Sequence, residues 1–341
     1  MEGFLEIVAL VESEEHVCTR YRLSAYKEHF AKSGYSLRNL AWPKTLFGLL
    51  SLAAKLQNKT VIVQRKLPPT WLTWLIRRSC KYLIFDFDDA IFLRDSYSKK
   101  GMDDRSKLAR FIAISKAADA MVAGNRFLAD VSALHTSASK IFVIPTVIET
   151  SKYQLAPSAT LNESLEMVWI GSKSTLQSLD IIRPILEELG KTFPNLSLKI
   201  ICDSFPTFDH LKISPVRWQE SNEVAEIQSA NLGICFMPDD RWSRGKCGLK
   251  LLQYMAAGLP VIANPVGVHN EIIRHGYNGF LANTYEDWSN AIALIYKNKE
   301  QQKLMGGRGR EIVDSLYSVH SNAGNWIALL NNLDQQKLQA G

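Results

Sequence analysis

The sequence predicts an α/β protein built from two doubly wound domains with parallel sheets, and three observations lead there. Short apolar runs alternate with helix-period segments along almost the whole chain, the runs are continuously apolar, and the rhythm lapses once near the middle before starting again. Continuously apolar strands are buried on both faces, and strands separated by helices pair in parallel through crossovers. At 341 residues the chain also exceeds the size at which a single core usually stops growing.

Taken in order, Leu5 to Val11 reads as a strand and Tyr21 to Lys32 as a helix. Thr60 to Val63 and Tyr82 to Phe85 read as strands separated by a helix at Trp71 to Arg78. Ala120 to Ala123 and Ile141 to Ile144 follow, each behind a helical segment. Between Glu149 and Glu166 the pattern gives way to Ser, Thr, Ala, Asn and Pro157, which reads as a linker. Strands resume at Met167 to Ile170, Leu198 to Ile201, Leu232 to Phe236 and Val261 to Ala263. Their helices lie at Asp180 to Lys191, Glu223 to Ser229, Cys247 to Ala257 and Asn270 to His275, then Tyr285 to Asn298 and Gln301 onward. The expected layout is a first domain over 1–150, a linker over 151–165, a second domain over 166–310, and helices over 311–341 that return to the first domain. Disorder is expected only after Leu333. A ligand cleft is expected between the domains, at the carboxyl ends of the strands.

Composition narrows the class. With 46% hydrophobic and 22% charged residues the chain reads as globular. Its first residues, Met1 to Glu6, carry acids where a secretory leader needs bases, and Leu46 to Ala54 is too short to span a bilayer. The five cysteines, Cys18, Cys80, Cys202, Cys235 and Cys247, are scattered and form no C-x-x-C pair, so a reduced cytoplasmic protein is expected. From His29 to Phe85 there is no Asp or Glu against ten Lys and Arg, which leaves the rest of the chain at −4 within a total of +6. Within that stretch Trp42, Leu46, Phe47, Leu49 and Leu50 precede Lys55 and Lys59, and Trp71, Leu72, Trp74, Leu75 and Ile76 precede Arg77, Arg78 and Lys81. Tryptophan beside lysine and arginine suits an anionic membrane surface and a peripheral location, and it also suits helices packed on a sheet. No nucleic-acid motif is interleaved with these cations, so nucleic acid is not an expected partner.

The most informative segment runs from Arg241 to Pro260. Its cations Arg241, Arg244, Lys246 and Lys250 crowd a Gly-flanked helix start, where free N–H groups and the helix dipole favour an anion. If one helix begins at Cys247, then Lys246, Lys250 and Gln253 share a face that suits a diphosphate followed by a ribose. The Asp86-Phe87-Asp88-Asp89 cluster admits three uses: a metal-nucleotide D-x-D, a phosphotransferase pair, or carboxylates at a cleft that meet an acceptor hydroxyl; backbone capping is the plain structural alternative. If the three carboxylates cluster, at least one has a raised pKa. Arg20 and Arg22 follow the first strand and are candidates for clamping a phosphate or acceptor, or for surface ion pairs.

The Arg241 to Pro260 segment, with Val261 to Ile273 and Gly276 to Leu281 after it, resembles glycosyltransferase family 4, the retaining GT-B enzymes of the glycosyl transferases group 1 type. Thr19 to Arg22, Asp86 to Ala90, Ala123 to Leu128 and Val143 to Ile148 are similar to that family's earlier loops and strand ends, so matching patches run from about residue 18 to residue 281. The resemblance implies GT-B architecture, with two Rossmann-like domains facing an interdomain cleft. It implies transfer of a sugar from a nucleotide-diphosphate donor to a hydroxyl of a glycan, lipid-linked saccharide or metabolite, with retention and with no metal or other cofactor. On this view Arg244 and Lys250 stabilise the leaving diphosphate with Asp88 and Asp89 at the reacting hydroxyl, while Gly171, Ser172, Lys246, Cys247, Gly248, Leu249 and Gln253 line the donor. The sequence departs from the family at two glutamates seven residues apart, where it has Gly245 and Gln253. The first would contact donor-sugar hydroxyls and the second the ribose. Lys173 is the only candidate for the family's cation after Gly171, and Ser172, Ser174 and Thr175 either bind phosphate or cap the next helix. The competing classes are a non-catalytic sugar-nucleotide-binding or scaffold subunit and a dinucleotide-dependent oxidoreductase; the absence of G-x-G-x-x-G after Val11 or Ile170 argues against the latter.

Overall fold

The computed structural model describes residues 4–43, 45–154 and 164–340. The chain divides into two compact units. One holds the chain up to Val147 together with Asp240–Cys247 and the helix from Val319, and the other holds Ile148–Asp239 and Gly248–Ser318.

In the first unit the elements run β1 (Leu5–Val11), α1 (Val17–Arg22), α2 (Lys27–Lys32), β2 (Tyr35–Ala41), α3 (Leu46–Leu56), β3 (Thr60–Gln64), α4 (Thr70–Ser79), β4 (Tyr82–Phe87), α5 (Arg105–Ala117), β5 (Ala120–Ala123), α6 (Arg126–Ala133) and β6 (Ile141–Val143). They form a parallel sheet in the order β2-β1-β3-β4-β5-β6, with the direction of winding reversing between β1 and β3. Alternate side chains of each strand enter opposite cores. Val8, Leu10, Val61, Val63, Leu83 and Phe85 pack under α3 to α6, against Leu52, Leu72, Phe111 and Leu128. Ile7, Ala9, Ile62 and Ile84 face the other way, against Leu23, Tyr26, Phe30 and Trp326.

The second unit continues with β7 (Leu165–Ile170), α7 (Gln177–Ile181), α8 (Arg183–Thr192), β8 (Leu196–Cys202), β9 (Lys212–Arg217), α9 (Glu223–Gln228) and β10 (Leu232–Cys235). The short helix α10 (Arg241–Arg244) lies in the first unit's part of the chain. Then come α11 (Leu249–Ala256), β11 (Val261–Ala263), α12 (His269–Ile272), β12 (Gly279–Leu281), α13 (Tyr285–Lys297) and α14 (Lys299–Leu316), and α15 (Val319–Ala340) belongs again to the first unit. The second sheet is parallel in the order β12-β11-β10-β7-β8-β9, with its reversal between β7 and β10. Its core is formed by Leu165, Met167, Trp169, Leu198, Ile200 and Ile234 against Leu186, Leu189, Trp288 and Ile292.

Several local expectations are corrected. The helix expected over Tyr21 to Lys32 is two helices and a 3-10 turn, because Leu23 at φ −127 leaves helical geometry and both Leu23 and Tyr26 enter the core. The helix expected from Asp180 breaks at Ile182, ahead of Pro184 at the start of α8. Strands β2 and β9 escaped the reading because both are half-exposed edges without an apolar run; β9 contains Pro215, which only an edge strand tolerates. The tail expected to be disordered after Leu333 is helix to Ala340. The expected linker lies mostly at 155–163, outside the described residues.

The helix expected from Cys247 to Ala257 is also corrected, and this one bears on function. The chain forms α10, turns at Gly248 with φ 72, and only then starts α11 at Leu249. Lys246 therefore precedes that helix and does not share a face with Lys250 and Gln253.

Candidate functional site

Each sheet brings chemistry to the carboxyl ends of its strands beside the point where its winding reverses, which is where open α/β sheets hold ligands. In the first unit the group spans the ends of β3, which borders the reversal, and of β4 beside it. Asp86 is fully buried, and Arg22, only 2% exposed, holds it with Nη2 at 2.6 Å from Oδ1 and Nε at 3.1 Å from both oxygens. The same guanidinium donates to the Ile144 carbonyl at 3.1 Å, and Gln64 Nε2 donates to Asp86 Oδ2 at 3.3 Å. Burial outweighs Arg22 and raises the Asp86 carboxyl above its ordinary pKa. Arg22 is thus a core residue joining α1, β4 and the end of β6, and the expectation of a phosphate clamp at a rim fails for it. Arg20 is half-buried, with its guanidinium 5.2 Å from the Tyr21 ring centroid.

Beyond Asp86 the next carboxylates meet a residue the sequence reading missed. Arg65 follows β3 with φ 55, a left-handed conformation uncommon outside glycine, and its N–H donates to the Asp86 carbonyl at 2.8 Å. Its guanidinium pairs with Asp89 and lies 3.4 Å from Asp88 Oδ1. Lys246 Nζ reaches Asp89 Oδ1 at 3.1 Å and stands 3.7 Å over the Trp242 ring. Asp89 is therefore bracketed by two cations. Burial alone would raise the Asp88 pKa, but Arg65 and Arg22 outweigh it and hold the carboxyl below its ordinary value. Cys247 Sγ lies 3.3 Å from the Asp88 carbonyl, and burial raises its thiol pKa well above the usual range, so it packs as a neutral group. Asn125 fixes the segment, with Nδ2 donating to the Lys246 carbonyl at 2.9 Å while its Oδ1 caps α6.

This packing explains the first departure from the family pattern. A Cβ on Gly245 would stand 2.7 Å from both Cβ and N of Ala90, so no glutamate fits at that position. Asp240 caps α10, its Oδ1 accepting a 2.8 Å bond from the Ser243 N–H.

In the second unit the ends of β7 and β10 flank the reversal. Trp169 organises the group. Its ring edge would lie 2.5 Å from a Cβ on Gly171, and Lys250 Nζ stands 4.1 Å over its ring. Lys250 is thereby held beside the loop after β7, at the first turn of α11, where N–H groups lack helical partners. Gly248 is required by its positive φ, and a Cβ there would also press on the end of the Ile272 side chain, 2.6 Å away. Ser172 and Thr175 form a reciprocal capping box, and Ser172 Oγ lies 2.9 Å from Ser174 Oγ, so the loop hydroxyls serve the cap. His269 is fully buried, with Nδ1 2.9 Å from the Asn264 carbonyl. Burial, aided by Lys250, lowers its pKa to about 4.

The second departure also has a local cause. Gln253 is 3% exposed and its Nε2 donates to Glu223 Oε1 at 3.1 Å, while Trp218 Nε1 donates to Glu223 Oε2 at 2.6 Å. A carboxylate at residue 253 would face another at that distance, and the amide avoids the repulsion. Glu223 and Trp169 carry no sequence signal of their own; Arg65 carried one, as a cation at a strand end facing Asp86 across the sheet.

The fold with these strand-end groups defines the class: a GT-B type architecture, two doubly wound parallel α/β units of the kind found in GT-B glycosyltransferases. Residues 218–312 match the family described as glycosyl transferases group 1, and this stretch holds Gln253, Lys250 and the glycine turn. Sucrose-phosphate synthase of Thermosynechococcus elongatus superposes with a TM-score of 0.73 at 16% identity, over 98% of this chain and 100% of that one. HepE of Anabaena, solved with UDP and glucose, gives 0.69 at 13% identity, over 96% of this chain and 100% of its own. A Dictyostelium discoideum GDP-Man:Man(3)GlcNAc(2)-PP-Dol alpha-1,2-mannosyltransferase is 27% identical over 114 residues, which are 33% of this chain and 21% of that protein.

Proposed function

We propose that this chain transfers a hexose-type sugar from a nucleotide-diphosphate donor to a hydroxyl of a glycan, a lipid-linked saccharide or a metabolite, with retention at the sugar. The observation that carries this reading is the Gly171–Trp169–Lys250–Gly248 arrangement at the reversal of the second sheet, inside the stretch that matches the family. The Gly248 turn and the N–H groups of Leu249 and Lys250 receive the diphosphate, with the Lys250 ammonium held in place by the Trp169 face. Stabilising the departing diphosphate in this way supplies most of the catalysis. In the first unit, Asp88 is the carboxylate that meets the acceptor hydroxyl, and Arg65 keeps it ionised. Arg244 and Lys246 belong to the same unit as these carboxylates, so their part in donor binding is secondary to that of Lys250. The protein works peripherally, at the cytoplasmic face of a membrane.

Thermal-shift titration against a panel of nucleotide-diphosphate sugars, followed by chromatography of released nucleotide diphosphate, tests the reading, since a bound donor raises apparent stability by mass action. A shift with slow donor hydrolysis is the expected result. A shift without turnover, with or without candidate acceptors, identifies a binding subunit. Neither shift nor turnover removes the proposal.

A further inference from the structure

Helices α3, α4 and α5 lie on one face of the first sheet, with α4 packed against both neighbours, and none of the three contains an Asp or Glu. The structure divides the apolar residues of this region into two sets. Trp42, Leu72 and Ile76 are buried in the core, whereas Trp71 and Trp74 on α4 are 57% and 63% exposed. The side chains of Leu46, Phe47 and Leu50 lie outside the described residues. Trp71, Trp74 and Arg78 follow i, i+3, i+7 and share the outer face of α4, with the Arg78 guanidinium 5.7 Å from the Trp74 ring. On α5 the same construction recurs: Arg105, Leu108, Ile112 and Lys116 share one face, turned away from the buried Ile114, and Leu108 is 40% exposed.

The nearby carboxylates are already taken. Asp103 pairs with Arg241 at 2.8 Å, Asp104 with Arg94 at 3.0 Å and Asp119 with Arg77 at 3.1 Å. Among the described residues, no carboxylate pairs with Arg78, Arg105, Arg110 or Lys116. Two exposed indoles and a leucine on adjacent helices, with the cations Arg78, Arg105 and Lys116 on the same helix faces, form a surface whose apolar bodies and charged tips call for different surroundings. A bilayer interface supplies both, as acyl chains beneath and phosphate above.

The geometry points to the α4–α5 face as a docking site for the anionic headgroups of a lipid bilayer. Trp71, Trp74 and Leu108 enter the headgroup layer, and Arg78, Arg105 and Lys116 meet lipid phosphates. This inference shares with the proposed function only the membrane location and does not depend on the transfer chemistry. No described helix is long and apolar enough to cross a membrane, so the contact is a reversible one made from the surface.

The test is co-sedimentation of the full chain with vesicles of phosphatidylcholine alone or mixed with phosphatidylglycerol, at low and high salt. Binding only to the anionic vesicles, and lost at high salt, is expected. R105Q/K116Q lowers the partition coefficient by about 25-fold, near fivefold per cation. W71S/W74S lowers it by about tenfold, with an unchanged circular dichroism spectrum. K299Q/K303Q on α14 is the charge-matched control and leaves binding unaltered. No sedimentation with anionic vesicles at low salt overturns the inference, as does binding that both α4–α5 variants leave intact. Equal retention on polyglutamate beads and on vesicles also overturns it, because charge alone would then be read. Donor-induced thermal shifts on the same samples separate this result from the fate of the transfer proposal.

Discussion

Substituting Gly245 by alanine sets two effects against each other. Gly245 has φ −76 and caps α10 in ordinary right-handed geometry, so on backbone grounds alanine would stabilise by about 0.4–1 kcal/mol through the unfolded chain. Against this, the new Cβ would sit 2.7 Å from Ala90 N and 2.7 Å from Ala90 Cβ. Neither contact is the end of a flexible side chain, and Ala90 is itself anchored by the Leu93 N–H bond to its carbonyl at 2.8 Å. Overpacking of this kind costs about 1–3 kcal/mol, so the clash wins and G245A is destabilised by about 1–2 kcal/mol net. The assay is the urea midpoint of the transition that moves, with the m value confirmed unchanged. Replacing Ala90 by glycine as well removes the Cβ contact but not the one to nitrogen, so the double mutant recovers part of the loss, with a coupling of about 0.5–1 kcal/mol. G245E, which restores the family's residue, loses more stability and gains no turnover. A G245A midpoint at or above wild type would refute this account of why the glutamate is missing.

Four further outcomes follow from the same geometry. R22M removes one partner of the buried Arg22–Asp86 pair and should cost about 3–5 kcal/mol in urea melts, whereas a surface cation would cost almost nothing. K250A should weaken donor binding by about 1–3 kcal/mol in calorimetry, and unchanged affinity in the folded variant would move the diphosphate elsewhere. Because Arg65 and Arg22 hold Asp88 ionised below its ordinary pKa, its contribution persists above that value and fades as pH falls through the lowered one; R65M should move the acid limb of the donor-hydrolysis profile upward. His269 is pushed down from 6.5 to about 4, so stability is fully present above 6.5 and declines as pH falls towards 4. The decline is about 3 kcal/mol at most, and H269Q should flatten it, as read from melting temperatures between those pH values.

The architecture was legible from the chain because its signals are local. Val61 to Val63, Leu83 to Phe85 and Ile262 are buried on both faces of a sheet, and such strands must be apolar at every position. Period and run length therefore revealed the two parallel sheets, while the edges β2 and β9 stayed hidden because an edge demands little of its side chains. Lys250 was legible in the same way, as a cation near a helix start, whereas the left-handed turn at Gly248 was not, because the apolar period runs on through it from Cys247. Partnership was not legible. That Arg22 spends its charge on Asp86, 64 residues away, follows from the packing of α1 over β4. That Gly245 is shaped by Ala90 and Gln253 by Glu223 depends on contacts between distant segments, which no spacing encodes. The exposure of Trp71 and Trp74 was likewise decided by which side of α4 the sheet covers, and the burial of Trp42 by where the loop after β2 packs. Sequence alone determined which chemical groups stand at the strand ends, since residue type and period are properties of the chain; only the tertiary structure decided which of those groups are consumed in holding the fold and which remain for a ligand.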